Sequence, residues 1–378
     1  MPTPPSKKHD LGFPIFAVAF GPKKPRLIVG GGGGATRAGI KNSLIIYDLD
    51  EHTLDLKELA EHQFDKQDDG CMSIGVNSRE KILAAAVNSP EADVKAGKNQ
   101  NLRVLLLKGD KLYSHKTLKT IDRLDTSAYQ KVTRFSPNGK LLLTGTTEGK
   151  LNVWTYPELK EAMPAYDHED DIVDADFDPA GQLIVSVSNK KLFVRNAMTG
   201  ATIFSREDPE LEKNRKAEFR AARFGVRESE GHLFVVTNIR STPKKCYVSK
   251  WAVGKEERDW DRKKFRLVAN ACVTAFNISD DGKLLAIGAA DMSVSILGSG
   301  SLNSLLRVNN VHGFPVTSLA FSPGGHSLVT GSADACVTVI RVPQTKGSGW
   351  SWFTWLIVLA LLVALVWYLL QLGEEQDL

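Results

Sequence analysis

Stretches that alternate apolar and polar residues, each closed by a tight turn and answered by a second apolar run, recur along this chain. The clearest is Val132-Thr133-Arg134-Phe135, then the turn Ser136-Pro137-Asn138-Gly139, then Leu141-Leu142-Leu143-Thr144-Gly145. A close copy begins at Val316 and turns through Ser322-Pro323-Gly324-Gly325. Two more begin at Val173 and Val273, with turns Asp178-Pro179-Ala180-Gly181 and Ser279-Asp280-Asp281-Gly282. Fainter copies start near Phe13, Met72 and Phe219. Period-two alternation marks a half-buried strand, and each turn carries the glycine that a tight reversal needs. Copies spaced roughly 42 to 61 residues apart overlap the period of four-stranded propeller blades. Seven blades fit the region before residue 343. The last blade ends with Ile340, so its outer strand comes from residues 6–12 or is absent.

The pattern changes completely near the end of the chain. Residues 352–370 carry no charge, and most are Leu, Ile, Val, Ala or aromatic. Nineteen helical residues span about 28 Å, close to the hydrocarbon thickness of a bilayer. Trp350, Trp352 and Trp355 crowd one end, and Trp367 and Tyr368 the other, as aromatic belts do. Arg341 and Lys346 precede the stretch; Glu374, Glu375 and Asp377 follow it. The positive side stays cytosolic. The expectation is a single-pass anchor with the N-terminal part in the cytosol, inserted after synthesis. Its modest length favours a thin early-secretory membrane. The resulting division is a propeller over 1–343, a linker over 344–350, a transmembrane helix over 351–371 and a lumenal tail over 372–378.

Composition narrows the function. Forty-eight Lys and Arg stand against 44 Asp and Glu, a net charge of +4. That balance gives no electrostatic footprint for nucleic acid. The four cysteines, Cys71, Cys246, Cys272 and Cys336, form no CxxC pair. They read as reduced thiols rather than as zinc ligands or a disulfide framework. His312, Asp334 and Thr330 can be drawn as a hydrolase triad, but hydrogen bonding within one blade accounts for them better. The acidic clusters Asp68-Asp69 and Glu169-Asp170-Asp171 read as solvated loops without the spacing of an EF-hand. The basic residues between Arg206 and Arg266 are interleaved with acids and read as a solvated loop surface. The polar stretch 88–101 reads as a long mobile loop.

One segment stands apart. Five consecutive glycines, 30–34, are followed by Ala35-Thr36-Arg37-Ala38-Gly39-Ile40-Lys41-Asn42. They lie between the apolar runs Leu27-Ile28-Val29 and Leu44-Ile45-Ile46-Tyr47. Roughly a dozen residues is a large excess for neighbouring strands. No Gly-Lys-Ser/Thr end or following helix is present, so a P-loop is excluded. A dinucleotide fingerprint fails because a strand follows instead of a helix. Two readings remain: a floppy loop, or a folded loop whose bare carbonyls gather an ion. Carbonyl clusters suit potassium.

The blade endings Gly331-Ser332-Ala333-Asp334 and Gly288-Ala289-Ala290-Asp291, and Trp154 closing a third strand, resemble degenerate WD repeats. The order of features is more specific. Gly12-Phe13-Pro14-Ile15-Phe16, the glycine run, Gly39-Ile40-Lys41-Asn42, seven degenerate blades and a C-terminal anchor together resemble the Sec-twelve (prolactin regulatory element-binding protein) family. The resemblance implies an all-β, seven-bladed WD-repeat β-propeller with a C-terminal single-pass transmembrane helix. It implies a type II endoplasmic-reticulum protein that acts as guanine nucleotide exchange factor for the Sar-type small GTPase of COPII assembly. No covalent chemistry of its own is expected, nor a nucleic-acid partner. It further implies a loop stabilised by K⁺, assigned here to the carbonyls of Gly31, Gly32, Gly33 and Gly39. Ile40, Lys41 and Asn42 become the GTPase-contacting end, with Asn42 at the family's exchange-critical asparagine. The competing reading is a non-catalytic membrane scaffold that assists cargo exit.

Overall fold

The computed structural model describes residues 4–34, 39–77, 81–109, 111–209, 211–212, 215–343 and 359–366. The chain divides into two units, Met1–Val342 and Pro343–Leu378. The first is all β: seven four-stranded antiparallel sheets that make a seven-bladed propeller. Blade one is Ile15–Phe20, Arg26–Gly31, Ser43–Asp50 and Asp55–Gln63. The first strands of blades two to seven are Ser73–Val76, Gln130–Phe135, Ile172–Phe177, Ala217–Phe224, Val273–Ile278 and Val316–Phe321. These are the repeats legible in the sequence, the three faint ones included.

The recurring turn works as its residues suggest. Gly139, Gly181, Gly282 and Gly325 sit at φ between +69° and +76°, and each N–H reaches back three residues to a carbonyl at 2.8–2.9 Å. A side chain at that φ would be strained, so glycine recurs there. In blade seven the outer strand is Ser6–Asp10, which pairs with Cys336–Arg341 from Ser6↔Ile340 to Asp10↔Cys336. The ring is therefore closed by the two ends of the propeller sequence, which settles the choice between residues 6–12 and no strand.

The core lies between neighbouring blades. Ile15, Leu27, Val29 and Ile45 of blade one pack with Val329, Val337 and Val339 of blade seven, and Ile28, Leu44 and Ile46 with Ile74, Leu83 and Leu105 of blade two. Close approach requires a glycine at one repeated register. A Cβ on Gly145 would stand 2.8 Å from Ile172, on Gly288 2.6 Å from Val316 and on Gly331 2.6 Å from Ile15. Gly30 holds the same register in blade one, where a Cβ would stand 2.7 Å from the Cys71 Sγ. The first glycine of the run therefore belongs to the blade and not to the loop.

His312 hydrogen-bonds Asp334 at 3.2 Å and Thr330 at 2.9 Å inside blade seven, the bracing role expected of it. Stretch 88–101 is more compact than its composition suggested. It holds the short helix Glu91–Lys95, and its buried Asn88 and Asn99 bond each other and the backbone of Ala128 and Ser89. Buried amides can replace an apolar core when every bond is satisfied. Of the second unit, residues 359–366 are helical and their Leu and Val side chains are exposed. The rest of the expected anchor, 351–358 and 367–371, lies outside the described residues. Among the described residues no helix is long and apolar enough to cross a membrane.

Candidate functional site

The second and third strands of blade one are joined by residues 32–42, where blade seven makes the same connection with residues 333–335. The insertion begins inside the ladder. Gly31 is the last residue of Arg26–Gly31, pairs with Ser43, and accepts the Cys71 N–H at 3.3 Å. Gly32 donates to the Pro14 carbonyl at 3.0 Å, with φ at +148°, and a Cβ there would fall on the Asn42 side chain. Gly33 is half-buried. Gly34 has φ at +68°, and a Cβ on it would stand 2.7 Å from Asp69 Oδ1. Gly31, Gly32 and Gly34 are needed because other groups occupy the space of their side chains. Gly39, at φ +93°, faces open space and serves the turn alone. Residues 35–38 lie outside those described.

The other end of the loop is held from inside. Asn42 is only 2 % exposed. Its Oδ1 accepts the Gly34 N–H at 2.9 Å, and its Nδ2 donates to the Asp68 carbonyl at 2.7 Å. Its own carbonyl accepts the Phe64 N–H at 2.9 Å. One amide thus ties the start of the loop, its end and the entry to blade two. Lys41 lies half-exposed, its Nζ 2.8 Å from Glu61 Oε1 and 5.7 Å above the ring of buried Phe13. Burial pushes the Glu61 carboxyl up, but hydrogen bonds from Lys41 and Ser43 outweigh it and leave its pKa lowered. Ile40, beside the turn glycine Gly39, leaves 36 % of its surface exposed. The structure therefore brings Ile40, Lys41 and Asn42 together but splits their positions: one outward, one at the rim, one inward.

Asp68 and Asp69 are not solvated, contrary to expectation. Asp68 is buried, 3.4 Å from Arg103, and its Oδ2 accepts the Asp65 N–H. Asp69 is half-buried against Gly34 and accepts the Gly70 N–H at 2.8 Å. Burial raises the pKa of both carboxyls. The sequence had marked these acids only as a cluster, and nothing in their spacing told that Asn42 would bond the backbone of the first or that Gly34 would lie against the second. A desolvated carboxylate beside bare glycine backbone is an oxygen-rich setting suited to a weakly held monovalent cation. Among the described residues no group of three or more His, Cys, Asp or Glu side chains converges. Any ion here would depend on main-chain carbonyls.

With this geometry in view, similarity to known proteins separates the chain from other propellers. The WD domain, G-beta repeat pattern matches residues 119–155 and 303–340. The guanine nucleotide-exchange factor SEC12 of Mus musculus is 25% identical over 350 residues, 82% of this chain and 82% of its own length. The chain is a distant homologue of the SEC12 family. SEC12-like protein 2 of Arabidopsis thaliana is 26% identical over 321 residues, covering 82% of this chain and 74% of its own. SED4 of Candida glabrata is 23% identical over 377 residues, and this chain spans only 35% of its length. The SEC12-family match reaches well beyond the two recognisable repeats.

Proposed function

We propose that this protein is a guanine nucleotide exchange factor for a Sar-type small GTPase, acting at the endoplasmic-reticulum membrane to start COPII vesicle formation. The observation that carries the reading is the loop: an insertion in one blade, pinned from within by Asn42, with Ile40 exposed two residues before it. Homology to proteins named as exchange factors supports it.

An exchange factor binds the nucleotide-free GTPase better than the loaded form, and by reciprocity it lowers nucleotide affinity by the same factor. Nothing on the loop needs to make or break a bond. Ile40 acts as an apolar wedge against the GTPase switch region, and Lys41 supplies a cation at the rim. Asn42 contributes by holding the loop in one shape, which reduces the ordering cost on binding. A K⁺ ion held by the carbonyls of Gly31, Gly32, Gly33 and Gly39, with Asp69 supplying charge nearby, would further restrain the glycine backbone.

The uncharged stretch 352–370, helical over 359–366, supports a single-pass anchor with the propeller in the cytosol. Tethering would raise the concentration of the exchange loop where the loaded GTPase must insert.

The test is GDP release from a purified Sar-type GTPase by the full chain, in potassium and in sodium at equal ionic strength. Release accelerated in potassium and slowed in sodium supports both the activity and the ion. Equal rates in the two salts reject the ion. No acceleration in either leaves the membrane scaffold as the better reading.

A further inference from the structure

In six of the seven blades the first strand breaks register once, directly after its first paired residue or, in blade five, its third. The bulge residues are Phe16, Lys131, Val173, Arg220, Thr274 and Thr317. A bulge takes a residue out of the ladder and re-aims its side chain. All six line the central channel, together with Met72 of blade two. They form a ring where the channel, a cavity of about 160 Å³, opens into a mouth of about 430 Å³. Since Ile15 pairs with Gly31, the glycine loop leaves its blade at this same end.

The ring is electrostatically one-sided. The channel is lined by Lys131, Arg134, Arg220 and Arg223 and by a single carboxylate, Asp174; the mouth adds Arg240 and no acid. Most of these cations have partners: Lys131 bonds Asp171 at 3.1 Å, Arg223 bonds Asp174, and Arg240 bonds Glu218 at 2.5 Å. Among the described residues Arg134 and Arg220 are the exceptions, and of the two only Arg220 also lines the mouth. It is half-buried, donates to the Thr274 carbonyl, and makes no ion pair among the described residues. A guanidinium has five N–H donors, and one backbone carbonyl leaves most of them for the channel.

We propose that the loop-side mouth of the channel binds a small tetrahedral oxyanion, phosphate or sulfate, between Arg220 and Lys131. The planar fork of Arg220 suits two oxygens of such an anion, and Lys131 adds a point charge from across blade four. Bound charge would relieve the crowding of cations: burial lowers the pKa of Arg220, and Arg223, followed by burial, lowers that of Arg134. The region that holds Arg220 and Arg223 read in sequence as a solvated loop surface; the fold turns it into strands and channel lining.

Calorimetric titration of the full chain with inorganic phosphate, in chloride at constant ionic strength, tests the site. Saturable binding is expected, weakened about tenfold or more by Arg220→Met, since one charge-assisted bond of that kind is worth at least that factor. Arg220→Lys should retain part of it, and Lys131→Met should lose less than Arg220→Met. Circular dichroism of each variant separates loss of the site from loss of the fold. Absence of saturable heat with the wild-type chain, or unchanged binding by a folded Arg220→Met variant, overturns the proposal.

Discussion

Asn42 Oδ1 accepts the Gly34 N–H at 2.9 Å across the neck of the loop, with the Asn42 side chain almost wholly out of solvent. The amide therefore acts on the shape of the loop. Asn42→Ala removes this bond and the one to the Asp68 carbonyl, leaving a half-buried N–H and a buried C=O without those partners. The expected loss is about 1–3 kcal/mol of stability. GDP release should slow about tenfold, the scale of a typical coupling energy. Denaturant unfolding and exchange kinetics measured on the same preparation check both. Exchange unchanged beside a lost stability would detach Asn42 from function.

Ile40 should behave in the opposite way. Its side chain is among the exposed large hydrophobics, so Ile40→Ala is expected to change stability by no more than about 0.5 kcal/mol. An apolar residue central to an interface commonly costs more than tenfold in binding when truncated, about 2 kcal/mol. The predicted signature is a wild-type melting temperature with weakened GTPase capture.

Acid sensitivity has an identifiable source in blade four. His168 is buried, hydrogen-bonds Ser186 at 2.8 Å, and has its pKa lowered to about 3 by burial and then by nearby Arg195. The unfolded chain holds a histidine near pKa 6.5 and so binds one more proton between those values. Stability from this group is complete above about pH 6.5 and is lost as pH falls toward 3. Burial lowers the His312 pKa as well, which adds to the slope. A pH series of denaturant melts should show stability falling below pH 6.5, less steeply in His168→Gln.

Closure of the ring depends on five residues. Deleting Ser6–Asp10 uncovers the edge of Cys336–Arg341 and removes the Lys8–Asp334 ion pair at 2.9 Å and the His9–Leu54 hydrogen bond. At about 1 kcal/mol per net backbone bond, a loss of about 3 kcal/mol or more is expected. An open edge also invites pairing with another chain. A lowered melting temperature accompanied by oligomers in size-exclusion chromatography would bear this out; an unchanged monomer would count against closure of the ring by this strand.

How much of this was legible beforehand differs from residue to residue. Gly139 and Gly325 announced their turns because a left-handed position four residues after a strand is a local requirement. Gly30 misled in one respect: it read as loop, yet it serves blade packing, since the contact that demands a missing Cβ comes from Cys71 in the next blade. Asp68 and Asp69 read as exposed acids because nothing in their spacing shows that Asn42 and Arg103 meet the first or that Gly34 lies against the second.

Period, turn chemistry and the length of apolar runs are properties of neighbours in the chain. They were enough to count the blades, to locate the insertion in blade one and to mark 352–370 as a distinct segment. The inward turn of Asn42, the closing strand Ser6–Asp10 and the cationic ring around Arg220 depend on groups tens to hundreds of residues apart. Alternation tells which residues leave a strand on which face, but a single bulge reverses that assignment. Only the assembled ring shows what lies on the other side.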